Sequence, residues 1–141
     1  MEKKKVLFIC THNSARSQIA EGLLKSLYGN HYEVYSAGTE PSTVNLFAIK
    51  VMAEIGIDIS QQRSKSINEF FDSQFDYVIT VCDLAKNACP FFPNGKNYVH
   101  KSFKDPSEIS GSHTKKLEAF RNARDEIKQW IENSFFKEIG K

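Results

Sequence analysis

An apolar run, Val6-Leu7-Phe8-Ile9, ends on Cys10 and gives way to Thr11-His12-Asn13-Ser14-Ala15. Arg16-Ser17 then opens a helical pattern, Ile19-Ala20-Leu23-Leu24-Leu27. No other stretch limits the possible folds so sharply, because a buried strand has to deliver a cysteine into a five-residue loop whose far end starts a helix. In such a C-x5-R-S arrangement, the loop N–H groups and the free N–H groups of the first helical turn converge on one tetrahedral anion. The positive end of the helix dipole lies behind them. Arg16 adds a bidentate fork that lysine cannot match. Helix N-termini and cationic neighbours favour thiolates over thiols, so Cys10 is the candidate nucleophile and Ser17 a candidate hydrogen-bond donor to its sulfur. The candidate oxyanion cradle is Thr11, His12, Asn13, Ser14, Ala15 and Arg16. A lone cysteine at a strand end is ordinarily a small buried hydrophobe. The arginine at the sixth position and the strand-loop-helix setting make this one a site.

The 141 residues suffice for one core, and a single domain over 1–141 is expected. A net charge of +2 creates no field suited to nucleic acid. The apolar run after Lys3-Lys4-Lys5 is too short for a signal peptide, and no stretch approaches the roughly 20 apolar residues of a membrane span. Three cysteines, an odd number, point to reactive thiols in the cytoplasm over a disulfide framework. Cys82 and Cys89 are separated by six residues where zinc knuckles use two to four, and no histidine sits at ligand spacing with them, so no metal site is expected.

Strand and helix alternate along the chain. Lys5–Cys10 reads as a central parallel strand, Ser17–Tyr28 as a helix, His31–Ala37 as a strand and Asn45–Ile55 as a helix stopped by Gly56. A short helix is expected from Ser66 to Phe71, then a buried strand over Phe75–Val81 with Cys82 directly after it. Asp83–Ala88 reads as one or two helical turns, Pro90, Pro93 and Gly95 as a loop, and Tyr98–His100 as a brief fourth strand. A loop holding Asp105-Pro106 leads to a final helix from about His113 to Phe135, with Leu117, Phe120, Ile127, Trp130 and Ile131 on its inner face. The pattern predicts an α/β three-layer sandwich around a four-stranded parallel sheet. Its active loops, including those of Cys10, Cys82 and Asp105, gather at the carboxyl ends of the strands.

Cys10–Ser17, the Cys82-x6-Cys89-Pro90 segment and Asp105-Pro106 together resemble the thioredoxin-coupled arsenate reductases, which share the fold of the low-molecular-weight protein tyrosine phosphatases. The resemblance runs from Val6 to the last helix. It implies that Cys10 attacks the arsenic of arsenate, held by the loop and Arg16, while Asp105 protonates the departing oxygen. Cys82 then attacks Cys10 and releases arsenite, Cys89 attacks Cys82, and thioredoxin reduces the Cys82–Cys89 disulfide. Phosphate and sulfate would be substrate analogues, and a monomer with no bound cofactor is expected. The absence of a cofactor motif agrees, since a dithiol can supply two electrons by exchange. The resemblance further implies a support site behind the loop at Asn13, Glu21 and Ser36, where some relatives hold potassium. Lys65 stands where those relatives have an aspartate, and its ammonium is expected to replace the ion and fix Asn13.

Besides Lys65, two further departures accompany the likeness. Ala15 stands where some members carry a further cysteine, and Ser107 where the tyrosine phosphatases usually place an aromatic that stacks on phosphotyrosine. A phosphomonoester hydrolase using Cys10, Arg16 and Asp105, and a redox-sensing or anion-binding module without turnover, are the alternatives left open by the residues.

Overall fold

The computed structural model describes residues 3–82 and 92–133. Its elements are β1 (Lys4–Cys10), α1 (Arg16–Tyr28), β2 (Tyr32–Gly38), α2 (Leu46–Ala53), β3 (Phe75–Thr80), β4 (Gly95–His100) and α3 (His113–Trp130). The strands form one parallel sheet in the order β2-β1-β3-β4, with Ile9 level with Ala37 on one side and with Thr80 on the other. β1 is central, which is why its sequence is apolar without alternation. Val6, Phe8 and Cys10 pack with residues of α1, α2 and α3 on one face, and Leu7 and Ile9 pack with Ile67, Phe75 and Phe92 on the other. Each fully buried Leu, Ile or Phe there contributes about 2 kcal/mol by leaving water. The result is the expected α/β fold built on a four-stranded parallel sheet, with both faces of the sheet covered.

Several boundaries differ from the sequence reading for local reasons. Asn45 lies outside α2 as its cap, its Oδ1 accepting from the Phe47 N–H at 2.8 Å, and the helix gives way after Ala53 to a turn ending at Gly56, where φ is +79°. Ser66 caps a 3-10 turn over Ile67–Phe70 in place of an α-helix. β4 starts at Gly95, three residues before Tyr98, and Gly95 pairs with Phe75. A Cβ at Gly95 would lie 2.6 Å from Val78 Cγ2, so this glycine serves close packing at a strand start and does not mark a loop. Asp105 caps a 3-10 turn over Pro106–Glu108. On α3, Phe120, Ile127 and Ile131 are buried while Leu117 and Trp130 are half-buried. The expected end at Phe135, the turns over Asp83–Ala88, Cys89 and Pro90 lie outside the described residues.

α3 is tied to the end of α2 by charge. Arg124 is buried and donates from Nη1 to the Val51 carbonyl and to Glu54 Oε1, both at 2.8 Å, while Arg121 grips Glu54 through Nε and Nη2. The two guanidinium groups hold the Glu54 carboxyl down at about 2. No helix among the described residues is long and apolar enough to cross a membrane.

Candidate active site

β1 hands the chain to the Cys10–Ser17 loop, and the loop's outer side is tied down by distant backbone. Glu40, Ser42 and Asn45 donate their N–H groups to the carbonyls of Thr11, His12 and Ser14 at 2.8, 3.3 and 3.0 Å. Three of the loop's acceptors are therefore engaged away from an incoming anion. Gly38 closes β2 against the same turn, where a Cβ would lie 2.5 Å from the Thr11 carbonyl and 2.9 Å from Asn13 N. Asn13 takes the left-handed conformation, φ +50°, which asparagine tolerates better than most residues. Ala15, before α1, supplies no side-chain cap, so the N–H groups of the first helical turn are left for a ligand.

Cys10 Sγ is buried and lies 2.8 Å from Ser17 Oγ, which in turn accepts from Asn13 Nδ2 at 2.8 Å. Arg16 is 4% exposed. Its Nη1 donates to the Phe103 carbonyl at 3.1 Å, and its Nη2 lies 3.5 Å from Asp105 Oδ2. The other Asp105 oxygen accepts from the Ser107 N–H and hydroxyl. Cys10, His12, Ser14, Ala15, Arg16, Asp105 and Ser107 line one narrow cavity of about 20 Å³. Thr11 Oγ1 is buried beside this loop with no hydrogen-bond partner among the described residues. His12 Nδ1 pairs with the Glu40 carbonyl at 3.1 Å and must be the donor, since a carbonyl only accepts. Cys82, also a thiol and 0% exposed, follows Val81, whose N–H donates to the Ile9 carbonyl, and its Sγ lies 3.9 Å from that same oxygen. The structure thus brings Cys10, Ser17, Arg16 and Asp105 together and seats Cys82 at the end of the adjacent strand. Cys89 lies outside the described residues. A thiol facing an anion cradle, with a guanidinium and a carboxyl across the cavity, is equipped for covalent displacement at a tetrahedral centre.

The support residues are arranged differently from the expectation. Asn13 Oδ1 is held by the backbone N–H of Lys65 at 2.8 Å, not by its ammonium, which donates to the Arg63 carbonyl at 2.6 Å and lies 3.6 Å from Glu21 Oε1. The ammonium follows the carboxylate because a buried charge needs a counter-ion; burial pushes Lys65 down and Glu21 opposes that. Glu21 also accepts from Ser36 Oγ and from Lys25 Nζ. With Glu21 shared by two ammonium groups and Asn13 Oδ1 taken by N–H donors, these oxygens do not fit a potassium ion.

Residues 62–65 form a strap across the back of the loop that sequence reasoning missed. Ser64 Oγ donates to the His12 carbonyl at 3.0 Å, and the Arg63 carbonyl accepts from the fully buried Gln18, whose own carbonyl accepts from Gln62. Gln18, Glu21 and Lys25 lie on a polar stripe that looks solvated. The available signal is Gly22 in mid-helix, where a Cβ would lie 2.6 Å from Ile59 Cγ2: a glycine on a polar stripe marks a segment crossing closely over it. A cavity of about 550 Å³ lies on the far side of this strap, lined by Glu21, Lys25, Gln62, Arg63 and Lys65, away from Cys10.

A model of the low molecular weight phosphotyrosine protein phosphatase family matches residues 5–141. The chain is 45% identical over 141 residues to an arsenate reductase of Halalkalibacterium halodurans, all of both chains being covered. Its fold matches a solved structure described as an arsenate reductase in the phosphate binding state, with a TM-score of 0.80 and 39% identity over 95% of this chain and 98% of that one. A thioredoxin-dependent arsenate reductase of Corynebacterium glutamicum matches with a TM-score of 0.62 and 30% identity, over 94% of this chain and 63% of that one.

Proposed function

The chain belongs to the low molecular weight phosphotyrosine protein phosphatase family, among its arsenate reductases, and from that premise we propose that it reduces arsenate to arsenite by a relay through Cys10, Cys82 and Cys89. Cys10 Sγ forms a bond to arsenic as one arsenate oxygen departs, protonated by Asp105 across the cavity. Arg16 and the loop N–H groups hold the remaining oxygens. Cys82 then attacks Cys10 Sγ. The sulfur–arsenic bond breaks with its electron pair going to arsenic, which leaves as arsenite, and a Cys10–Cys82 disulfide forms. Cys89 attacks Cys82 and releases Cys10 as thiolate. A dithiol of the thioredoxin class returns two electrons to the Cys82–Cys89 disulfide, a reading supported by the likeness to the thioredoxin-dependent arsenate reductase of Corynebacterium glutamicum.

The observation that carries reduction over simple ester hydrolysis is Cys82. Hydrolysis at Cys10 needs no second thiol, yet one is seated at the end of the strand adjoining β1, with its sulfur against the Ile9 carbonyl. Ser107, beside Asp105, presents no aromatic face of its own on which an aryl group could stack. The experiment is oxidation of reduced nicotinamide cofactor through thioredoxin reductase and thioredoxin, with arsenate as the only acceptor. Sustained oxidation with release of arsenite is expected. Hydrolysis of an aryl phosphate with no arsenate-dependent oxidation would overturn the proposal.

A further inference from the structure

The hydrogen bond between Ser17 and Cys10 can run either way on distance alone, and its direction decides whether it favours the thiolate. The surrounding network removes the ambiguity. Lys65 contributes a backbone N–H, which only donates, so the Asn13 side-chain atom 2.8 Å away is its oxygen. Asn13 Nδ2 must then face Ser17 Oγ and donate to it at 2.8 Å. Ser17 keeps its own hydrogen for Cys10 Sγ, where a thiolate accepts it as a charge-assisted bond.

Gln18 is the second donor to Asn13 Oδ1, through Nε2 at 3.0 Å, and the same nitrogen lies 3.0 Å from the carbonyls of Asn13 and Arg63. Every one of these neighbours is an acceptor, so a flipped Gln18 amide would set oxygen against oxygen. The amide is held in its orientation from the other end, where Gln62 Nε2 donates to Gln18 Oε1 at 2.7 Å and to the Gln18 carbonyl at 3.1 Å. Gln18 sits in the first turn of α1 and is fully buried, while Gln62 is part of the strap.

We infer that Gln62 and Gln18 are positioning residues for the nucleophile: they set the orientation of the Asn13 amide and, through Ser17, aim a hydrogen at Cys10 Sγ. The inference rests on Cys10 being the nucleophile of the proposed reaction. Neither glutamine approaches the anion cavity, whose charged and titratable lining groups besides Cys10 are His12, Arg16 and Asp105. Glu21, with Lys25 and Lys65, lies on the strap side.

The test is the pH dependence of Cys10 alkylation, followed by mass spectrometry in Gln18→Glu, Gln62→Glu, Ser17→Ala and the Gln18→Glu/Ser17→Ala double variant. Gln18→Glu replaces the donor with an acceptor of nearly equal shape. It should raise the alkylation midpoint by about one unit, roughly tenfold in thiolate at a fixed pH below it. Gln62→Glu, at a half-buried position whose loss the fold tolerates more readily, should shift the midpoint in the same direction by less. Ser17→Ala should produce a shift as large as that of Gln18→Glu, and the double variant no more than either alone, because both substitutions remove one hydrogen bond. Unchanged midpoints in both folded glutamine variants, or additive shifts in the double variant, would overturn the inference. The readout needs no arsenate, so the inference can fail while arsenate reduction stands, and arsenate reduction can fail while the midpoint shifts are observed.

Discussion

Arg16 holds two protein oxygens, the Phe103 carbonyl and an Asp105 carboxylate oxygen, while its guanidinium lines the anion cavity. One planar group therefore anchors the acid-bearing segment and faces the substrate, which a lysine cannot do from a single nitrogen. Arg16→Lys should lower kcat/KM for arsenate by about 10²–10³-fold, the range for loss of one preorganised oxyanion donor. The thermal midpoint should stay near that of the wild type, and steady-state kinetics beside a melting curve check both parts. The sequence spoke clearly about where such residues lie: Cys10 at a strand end and Arg16 and Ser17 at a helix start are placed together by local pattern, while Asp105, in the loop after β4, joined the expected site through its position and the family resemblance. Lys65 was legible as a position but not as a contact. Its backbone N–H supports Asn13 while its ammonium turns to Glu21, and no spacing rule distinguishes a residue's main chain from the end of its side chain. Gln18 was hidden for a related reason, since its burial is created by residues 62–65.

At the scale of elements, the contact between α2 and α3 is an apolar seam finished by an ion network that runs from the buried Arg124 to the exposed Glu54. Phe47 stacks on Phe120 within it, and Glu54 bridges Arg121 and Arg124 at its end. Glu54 has a folded value near 2 against an ordinary 4.5, so its contribution is present above the ordinary value and is lost as pH falls toward 2. Glu54→Gln should lower the thermal midpoint at neutral pH, and its deficit relative to wild type should shrink progressively below pH 4.5 and vanish near pH 2. A deficit independent of pH would assign the effect to packing. The helices and strands themselves were readable from apolar spacing, while their ends were set by partners. Gly95 looks like a loop glycine until Val78 is placed against it, and Asn45 looks helical until its side chain is seen capping Phe47.

Across the whole molecule, the parallel sheet carries Cys10 and Cys82 to the same edge on adjacent strands and leaves both buried. Cys82 is 0% exposed in this structure and out of reach of an external dithiol, so the proposed relay would end on another residue, and Cys89 is the remaining cysteine in the sequence. Cys89→Ser should therefore release a single equivalent of arsenite per chain and stop, and Cys82→Ser should release none; quantifying arsenite against enzyme in the presence of thioredoxin checks both. Steady turnover by Cys89→Ser would refute the relay. The strap and the Arg16 contacts also bear on how the protein is made. Ser64 and Lys65 hold His12 and Asn13 across 52 residues of chain, and the partners of Arg16 lie later still, at Phe103 and Asp105. A nascent chain that has emerged only through residue 60 displays the entire Cys10–Ser17 motif yet has no finished cradle. Arg16 gains these partners only after Cys82 and Cys89 have both been synthesised, so the order of translation completes the cradle after the two thiols on which the proposed relay draws.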